Sequence, residues 1–387
     1  MFYEKKAVAL MNKYPAICDL RRRAQKRLPL IAKEYLETGT DRDEALDRNI
    51  QDLAKITYKP RFLKGEIEPG LSTNLFGQEY AAPFGIAPVG LTGLMWPNIE
   101  VILAKTAAKY QIPFCLSTVS TSTPELVGPH ANGMGWFQLY TPREKELAFK
   151  ILDRAKNSGF HTLVITIDIP TPSRRQRTKR AGLQTPPKIT PFFIWQALTH
   201  PAWTMATLRH GLPKLRMIED YSDFQNMMSV GDFMARQVGG NLSWDYVQAI
   251  RDYWKGPVLL KGIMHEADAY KAADMGFDGI VVSNHGGRQF DGAPSSIDVL
   301  PKIVAAVKGR TKILFDSGVR TGLDVVRALS MGADFVLCGR AFIYGVAALS
   351  KLGGEHAFQI LKGELSNNMI QLGISTLEEV RNLRNTH

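Results

Sequence analysis

The chain has 387 residues, 45% of them hydrophobic and 22% charged, and a net charge of +11. That composition excludes extensive disorder, and the length suits one large α/β domain as readily as two medium ones. Three widely spaced cysteines, Cys18, Cys115 and Cys338, give neither a disulfide framework nor metal-ligand spacing, so no metal site is expected and a reducing cytoplasm fits best.

From the N-terminus, "MFYEKKAVALMNKYPAICDLRRRAQKR" holds only a short apolar patch with no small-residue cleavage site, and does not read as a secretory signal. Residues 16–60 read as helical, with "LPLIAKEYLETG" leading toward the first strand. Eight short β-rich apolar runs follow, at 83–89, 113–117, 136–140, 162–168, 257–262, 279–284, 312–318 and 335–340. Most gaps between them carry apolar residues at helical spacing, as in "NIEVILAKTAAKYQ" and "LDVVRALSMGA". Eight strand-helix alternations predict a (β/α)8 TIM barrel, with a core at about 83–345 inside a single domain spanning 1–387. An open doubly wound sheet is the alternative; the strand count and the lack of an early G-x-G-x-x-G turn weigh against it. Residues 346–387 read as a closing helical tail.

The gap between the fourth and fifth runs is far longer than the rest and predicts an insertion at about 174–243. From Arg174 to Arg216 it carries nine Lys or Arg and no acid, around the aromatic stretch "PFFIWQALTHPAWTMATL" at 191–208. No nucleic-acid-binding motif accompanies the charge, and nucleic acid is not an expected partner. Prolines interrupt the apolar stretch, which barely reaches the roughly 20 residues that a spanning helix needs. Basic flanks around exposed aromatics predict a peripheral anchor on anionic lipid through about 177–216. A lid or an oligomer contact is the alternative.

Function in such barrels gathers at the C-terminal strand ends. Here those ends are nearly all polar or glycine: Pro88 and Gly90, Ser117, Gln138 and Tyr140, Thr166 and Asp168, Lys261, Ser283 and His285, Asp316 and Gly318, then Gly339 and Arg340. A full ring of them predicts a cofactor site. "DSGVR" and "CGR" set glycines beside Arg320 and Arg340 after the last two strands, which predicts a phosphate-bearing ligand. The alternative for these arginines is salt bridging on the rim. Ser117, Gln138, Thr166 and Lys261 suit the polar edge of a flat heterocycle. Lys261 makes sense against an atom that becomes anionic on reduction, or as the partner of an acidic neighbour.

"SNHGGRQFDG", "DSGVRTGLDVVRALSMGAD", "CGRAFIYG", "WFQLY" and "LPLIAKEYLETG" resemble the FMN-dependent L-2-hydroxy-acid oxidase and dehydrogenase family, over almost the whole chain from about residue 16. Within it, "APVGLTGLMWP", "LSTVSTST", "HPAWTMATLRHGLPKL" and "SWDYVQAIRDYW" resemble the membrane-associated dehydrogenases acting on (S)-mandelate or L-lactate, the mandelate type somewhat more closely. The resemblance implies an FMN barrel passing electrons to a quinone or other membrane acceptor at the cytoplasmic membrane face, often as a tetramer. Carried over by position, it makes His285 the base and Asp168 its charge partner. Arg288 and Arg175 hold the substrate carboxylate with help from Tyr35, and Tyr140 faces the substrate hydroxyl. Pro88, Val89, Gly90, Ser117, Gln138, Thr166, Lys261 and Ser283 meet the flavin. Asp316, Gly318, Arg320, Gly339 and Arg340 form the ribityl-phosphate cradle.

On that footing one short loop supplies both requirements of a 2-hydroxy acid, a cation for the carboxylate and a base beside the α-carbon. The other histidines, at 130, 161, 200, 210, 265, 356 and 387, lack such company. Three departures from the family pattern bear on detail. Gly90 replaces the alanine of oxygen-reactive members, which favours a dehydrogenase. Val119 replaces a tryptophan of small-acid oxidases, which leaves room for a larger side chain, and Phe290 replaces a leucine. With no C-x-x-C-H, electrons must go to an external acceptor. The competing readings are an oxidase producing hydrogen peroxide and a non-catalytic membrane-bound flavin scaffold.

Overall fold

The computed structural model describes residues 2–183, 190–217 and 242–383. Parts of the predicted insertion, Lys188 among them, and His387 lie outside the described residues.

The eight predicted runs form the closed parallel barrel. After a hairpin of β1 (Thr73–Leu75) and β2 (Gln78–Tyr80) come β3 (Phe84–Ile86), β4 (Phe114–Ser117), β5 (Gly135–Tyr140) and β6 (Thr162–Thr166). Then follow β7 (Val258–Ile263), β8 (Gly279–Val282), β9 (Lys312–Phe315) and β10 (Phe335–Cys338), and β10 pairs with β3 to close the ring. Outward-facing residues such as Phe137, Leu139, Leu163, Ile165, Ile280 and Val282 pack in one large cluster with the surrounding helices. Inward-facing Cys115, Trp136, Val164, Leu259, Val281, Leu314 and Leu337 form a second cluster that fills the barrel floor.

The two-residue period of a strand explains where the site lies. Two residues beyond that apolar layer come Ser117, Gln138, Thr166, Lys261, Ser283, Asp316 and Gly339, on the same inward face. A further two reach Tyr140, Asp168 and His285. Each strand therefore carries an apolar plug below and chemistry above.

The hairpin, absent from the sequence reading, caps the barrel floor. Its turn uses Phe76 (φ 55°) and Gly77 (φ 80°), the left-handed pair of a type I′ turn. Tyr80 Oη accepts a hydrogen bond from Trp136 Nε1 at 3.0 Å.

The insertion leaves the barrel after β6. Pro201 splits its apolar stretch into two helices, Pro191–Thr199 and Pro201–His210, and Thr190 caps the first by accepting from the Phe193 amide at 3.1 Å. Among the described residues no helix is long and apolar enough to cross a membrane. Two side chains fasten the pair to the body: Trp203 Nε1 donates to the Leu94 carbonyl at 2.9 Å, and Gln196 Oε1 accepts from the Leu30 amide at 2.8 Å.

Candidate active site

A cavity of about 750 Å³ opens at the C-terminal end of the barrel. Sixteen of the nineteen residues singled out from the sequence line it. The other three stand directly behind lining residues. Asp168 holds His285 at 2.9 Å, Ser117 donates to Gln138 Oε1 at 2.6 Å, and Ser283 accepts from Lys261 Nζ at 3.0 Å.

The loop after β8 carries the reactive groups in an unusual backbone conformation. His285 (φ 60°), Gly286 (φ 65°) and Gly287 (φ 74°) are consecutive left-handed residues, a strained state for a histidine that its neighbours must hold. The Gly286 amide donates to Ser317 Oγ at 3.0 Å, and the Gly287 amide to Asn284 Oδ1 at 3.0 Å. A Cβ at Gly287 would lie 2.5 Å from the Leu46 amide nitrogen, so only glycine lets helix Glu44–Lys55 come this close. That helix returns the support: Asn49 and Asn284 exchange side-chain hydrogen bonds of 2.8 Å in both directions. Asp291 accepts from the Arg42 and Ala45 amides at 3.0 and 2.8 Å.

His285 is oriented at both ring nitrogens. Nδ1 lies 2.9 Å from Asp168 Oδ1 and Nε2 lies 3.2 Å from Tyr140 Oη. The carboxylate accepts from Nδ1, which leaves the Nε2 lone pair toward the cavity and the phenol. Gly262 (φ 107°) makes room for this pair, since a Cβ there would come 2.6 Å from Asp168 Cγ. Burial lowers the His285 pKa below the ordinary imidazole value, and Asp168 only partly restores it. Burial pushes the Asp168 carboxyl up, yet its interaction with His285, strongest once that ring is protonated, and the charge of Lys261 hold it below its usual range. The result is a neutral imidazole beside an ionised carboxylate.

Arg288 presents the opposite situation. Its guanidinium stacks 4.8 Å from the Tyr35 ring centroid, its Nη2 is buried without a partner among the described residues, and Tyr35 Oη donates to the Gly90 carbonyl at 3.1 Å. Burial first, then repulsion from Arg175, lowers its pKa well below the usual guanidinium range. Two neighbouring cations with a free donor form a site that gains from an anion.

Gln138 Nε2, also in the cavity lining, is a buried donor without a partner among the described residues. Lys261 pairs with Asp316 at 3.4 Å, so the acidic neighbour weighed for it exists. Burial alone would lower the Lys261 pKa, but Asp316 and Asp168 raise it above the normal lysine value, which keeps a buried positive charge at the barrel mouth. Asp316 is thereby taken up by Lys261 and by the Ser317 hydroxyl at 2.8 Å.

Near β9 and β10, Gly318 (φ 91°) passes so close to helix Glu44–Lys55 that a Cβ would meet the Asn49 carbonyl at 2.7 Å. Gly339 caps the ten-residue helix Arg340–Leu349, and Gly339 and Arg340 at the helix start both line the cavity. Three of the five N–H groups of the Arg340 guanidinium donate to the carbonyls of Leu36 and Thr38 at 2.9 Å and of Gly286 at 3.1 Å. It brackets the N-terminal segment to the histidine loop while lining the cavity, and with Arg320 and the helix start it forms a cationic corner that suits an anionic group. The orphaned Gln138 donor, the cationic Lys261 and this glycine-lined helix start are a donor set that fits the polar ring edge and the phosphate of a flavin mononucleotide.

Sequence reasoning missed Asn49, Asp291 and Ser317, which hold the loop, and Gly262, which makes room for Asp168; of these only Ser317 lines the cavity. Asn49 had a readable signal, a polar residue among the apolar positions of an amphipathic helix. Among the described histidines, His130, His161, His200, His210, His265 and His356 lie outside the cavity lining.

Residues 24–385 match the model of the FMN-dependent dehydrogenase family. The L-lactate dehydrogenase of Ectopseudomonas mendocina is 42% identical over 370 residues, covering 94% of this chain and 97% of that protein. That of Xanthomonas campestris pv. campestris is 42% identical over 367 residues, covering 94% and 95%. Among solved structures, the monotopic membrane protein (S)-mandelate dehydrogenase superposes with a TM-score of 0.89 at 32% identity, covering 95% of this chain and 97% of the other. A mandelate oxidase superposes at 0.81 with 31% identity and coverage of 95% and 97%. With a family match across nearly its whole length and relatives above 40% identity, the chain belongs to the FMN-dependent dehydrogenase family.

Proposed function

We propose that the chain oxidises an L-2-hydroxy acid, of the lactate or mandelate kind, to the 2-oxo acid, and passes the electrons to a quinone-type acceptor while docked on a membrane. The observation that carries this reading is one loop holding both a carboxylate-backed imidazole and a buried guanidinium with an unpartnered Nη2.

Arg288 and Arg175 receive the substrate carboxylate, which relieves their mutual repulsion and fixes the α-carbon relative to His285. His285 Nε2 takes a proton from the substrate, and Asp168 stabilises the imidazolium that results. Burial and the Asp168 charge push the Tyr140 phenol up, so it stays a neutral hydrogen-bonding group toward the substrate hydroxyl. FMN, when bound, supplies the acceptor for the two electrons that the substrate loses. Gln138, Thr166 and Lys261 would hold its ring edge, Pro88, Val89 and Gly90 would lie along the ring, and Gly318, Arg320 and Gly339 would hold its phosphate end.

The insertion supports the membrane part. Phe192, Ile194, Trp195, Leu198, Met205, Leu208 and Leu212 are each at least half exposed. Arg177, Lys179, Arg180, Arg209, Lys214 and Arg216 flank them. Apolar bodies with basic flanks suit the interface of an anionic bilayer. The resemblance to a monotopic membrane protein points the same way.

Anaerobic absorbance titration of the purified holoprotein with L-lactate, (S)-mandelate and their mirror images tests the reaction. Loss of the oxidised flavin band with one or both L acids is expected, with slow return of colour in air. Bleaching by the mirror-image acids, or by none of the four, would overturn the proposal; fast return in air would make the enzyme an oxidase.

A further inference from the structure

One buried acid is used by nothing described so far. Glu100 lies in the first turn of helix Ile99–Tyr110, is only 2% exposed, and forms no ion pair among the described residues. Its Oε1 accepts from Thr92 Oγ1 at 2.6 Å, from the Thr121 amide at 2.8 Å and from Thr121 Oγ1 at 2.6 Å, while Oε2 accepts from Ser122 Oγ at 3.1 Å. Burying a carboxylate is costly, and four donors with a helix N-terminus are what make it tolerable.

Those donors come from two different loops. Thr92 belongs to the loop after β3, Thr121 and Ser122 to the loop after β4. The Gly93 amide also donates to Thr121 Oγ1 at 3.0 Å, and the Leu91 amide to the Val119 carbonyl at 2.7 Å. The locked loops meet at the cavity wall: Gly90 and Val119 both line it, and a Cβ on Gly90 would lie 2.4 Å from Val119 Cγ2. The Gly90 carbonyl then receives Tyr35 Oη, and Tyr35 carries Arg288 on its ring. An unbroken chain of contacts runs from Glu100 to the wall beside the carboxylate clamp.

We propose that Glu100 is a positioning residue for substrate choice: by clamping the loops after β3 and β4 together it sets the place of Val119 against Gly90, and hence the room left for the substrate side chain. This rests on the hydroxy-acid reading of the cavity. Its test uses carboxylates that cannot be oxidised, so that it can fail separately from that reading.

The measurement is the dissociation constants of propionate and phenylacetate for the holoprotein, read by perturbation of the flavin spectrum. The proteins compared are the wild type, Glu100→Ala, Glu100→Gln, Val119→Ala and the Glu100→Ala/Val119→Ala double variant. Glu100→Ala should move the ratio of the two constants by about tenfold, the scale at which a pocket wall discriminates side chains. Glu100→Gln, which keeps the Oε1 acceptor, should restore most of it. In the Val119→Ala background the Glu100 change should have little further effect. Thr92→Val cuts the same link from the opposite loop and replaces Glu100→Ala if that protein does not hold FMN. A ratio within twofold of the wild type in Glu100→Ala or Thr92→Val, with only thermal stability lowered, would overturn the proposal and leave Glu100 a structural residue. Failure of both carboxylates to bind the wild type, or failure of L-lactate and (S)-mandelate to bleach it, would instead count against the hydroxy-acid reading on which the proposal stands.

Discussion

The barrel mouth and the helical pair at 190–210 invert the usual partition of residues in opposite senses. The mouth buries charge: Lys261 is 4% and Asp316 7% exposed. The helical pair exposes apolar bulk, with Trp195 at 55%, Leu198 at 74% and Leu208 at 78%. Buried charge persists where partners or ligands hold it, as Asp316 and Ser283 hold Lys261. Exposed apolar area has no such internal compensation, which is why the proposed function gives it a membrane to meet. The two regions belong to one machine because Gln196 and Trp203 join the helical pair to Leu30 and Leu94, beside the segments that carry Tyr35 and Gly90.

The comparison breaks first at Arg288. Arg288→Met keeps the length of the side chain and removes the charge, so kcat/KM for a 2-hydroxy acid should fall roughly 100-fold or more, largely through KM. Thermal stability should hold or rise, because the lost group was a buried cation beside another cation. Thermal melts beside steady-state kinetics check both, and a melting temperature that fell sharply would show that Arg288 is structural. A smaller effect belongs to the helical pair. Trp195→Ser with Leu198→Ser should weaken binding to anionic vesicles by about tenfold, since each side chain gives up apolar burial in the interface. Flavin reduction by substrate in solution should be unchanged. Vesicle sedimentation equal to that of the wild type would remove the membrane role from these helices.

Much of the fold and of the site was legible in the sequence because the strand period does two jobs at once. In "WFQLY" and "TLVITID" alternate residues face inward, and the same parity that buries Trp136 and Val164 presents Gln138, Thr166 and Asp168 at the rim. The hairpin escaped notice because three-residue strands carry no periodicity, and its turn residue Phe76 gives no turn signal of its own. The run at 83–89 read as one long strand, yet pairing covers Phe84–Ile86 and Ala87 to Gly90 leave the ladder to line the cavity. The supports were hidden for a different reason: Asn49 meets Asn284, Asp291 meets Ala45 and Arg340 meets Leu36 across hundreds of residues, a pairing that local pattern cannot disclose. Arg340 carries a second role that residue type alone does not disclose, since three of its five N–H groups hold carbonyls of other segments while it lines the cavity.

Whether His285 acts as the neutral base of the reaction is tested most directly by single-turnover flavin reduction followed across pH in the wild type and in His285→Asn. Burial lowers the histidine's pKa, and only the deprotonated ring can accept a proton, so the wild-type rate should rise with pH and level off. The midpoint should lie below the ordinary imidazole value of about 6.5. His285→Asn should keep its yellow flavin, be reduced on the order of 10³-fold more slowly and lose that acid limb. Reduction of the variant at the wild-type rate, with the limb intact, would contradict the account.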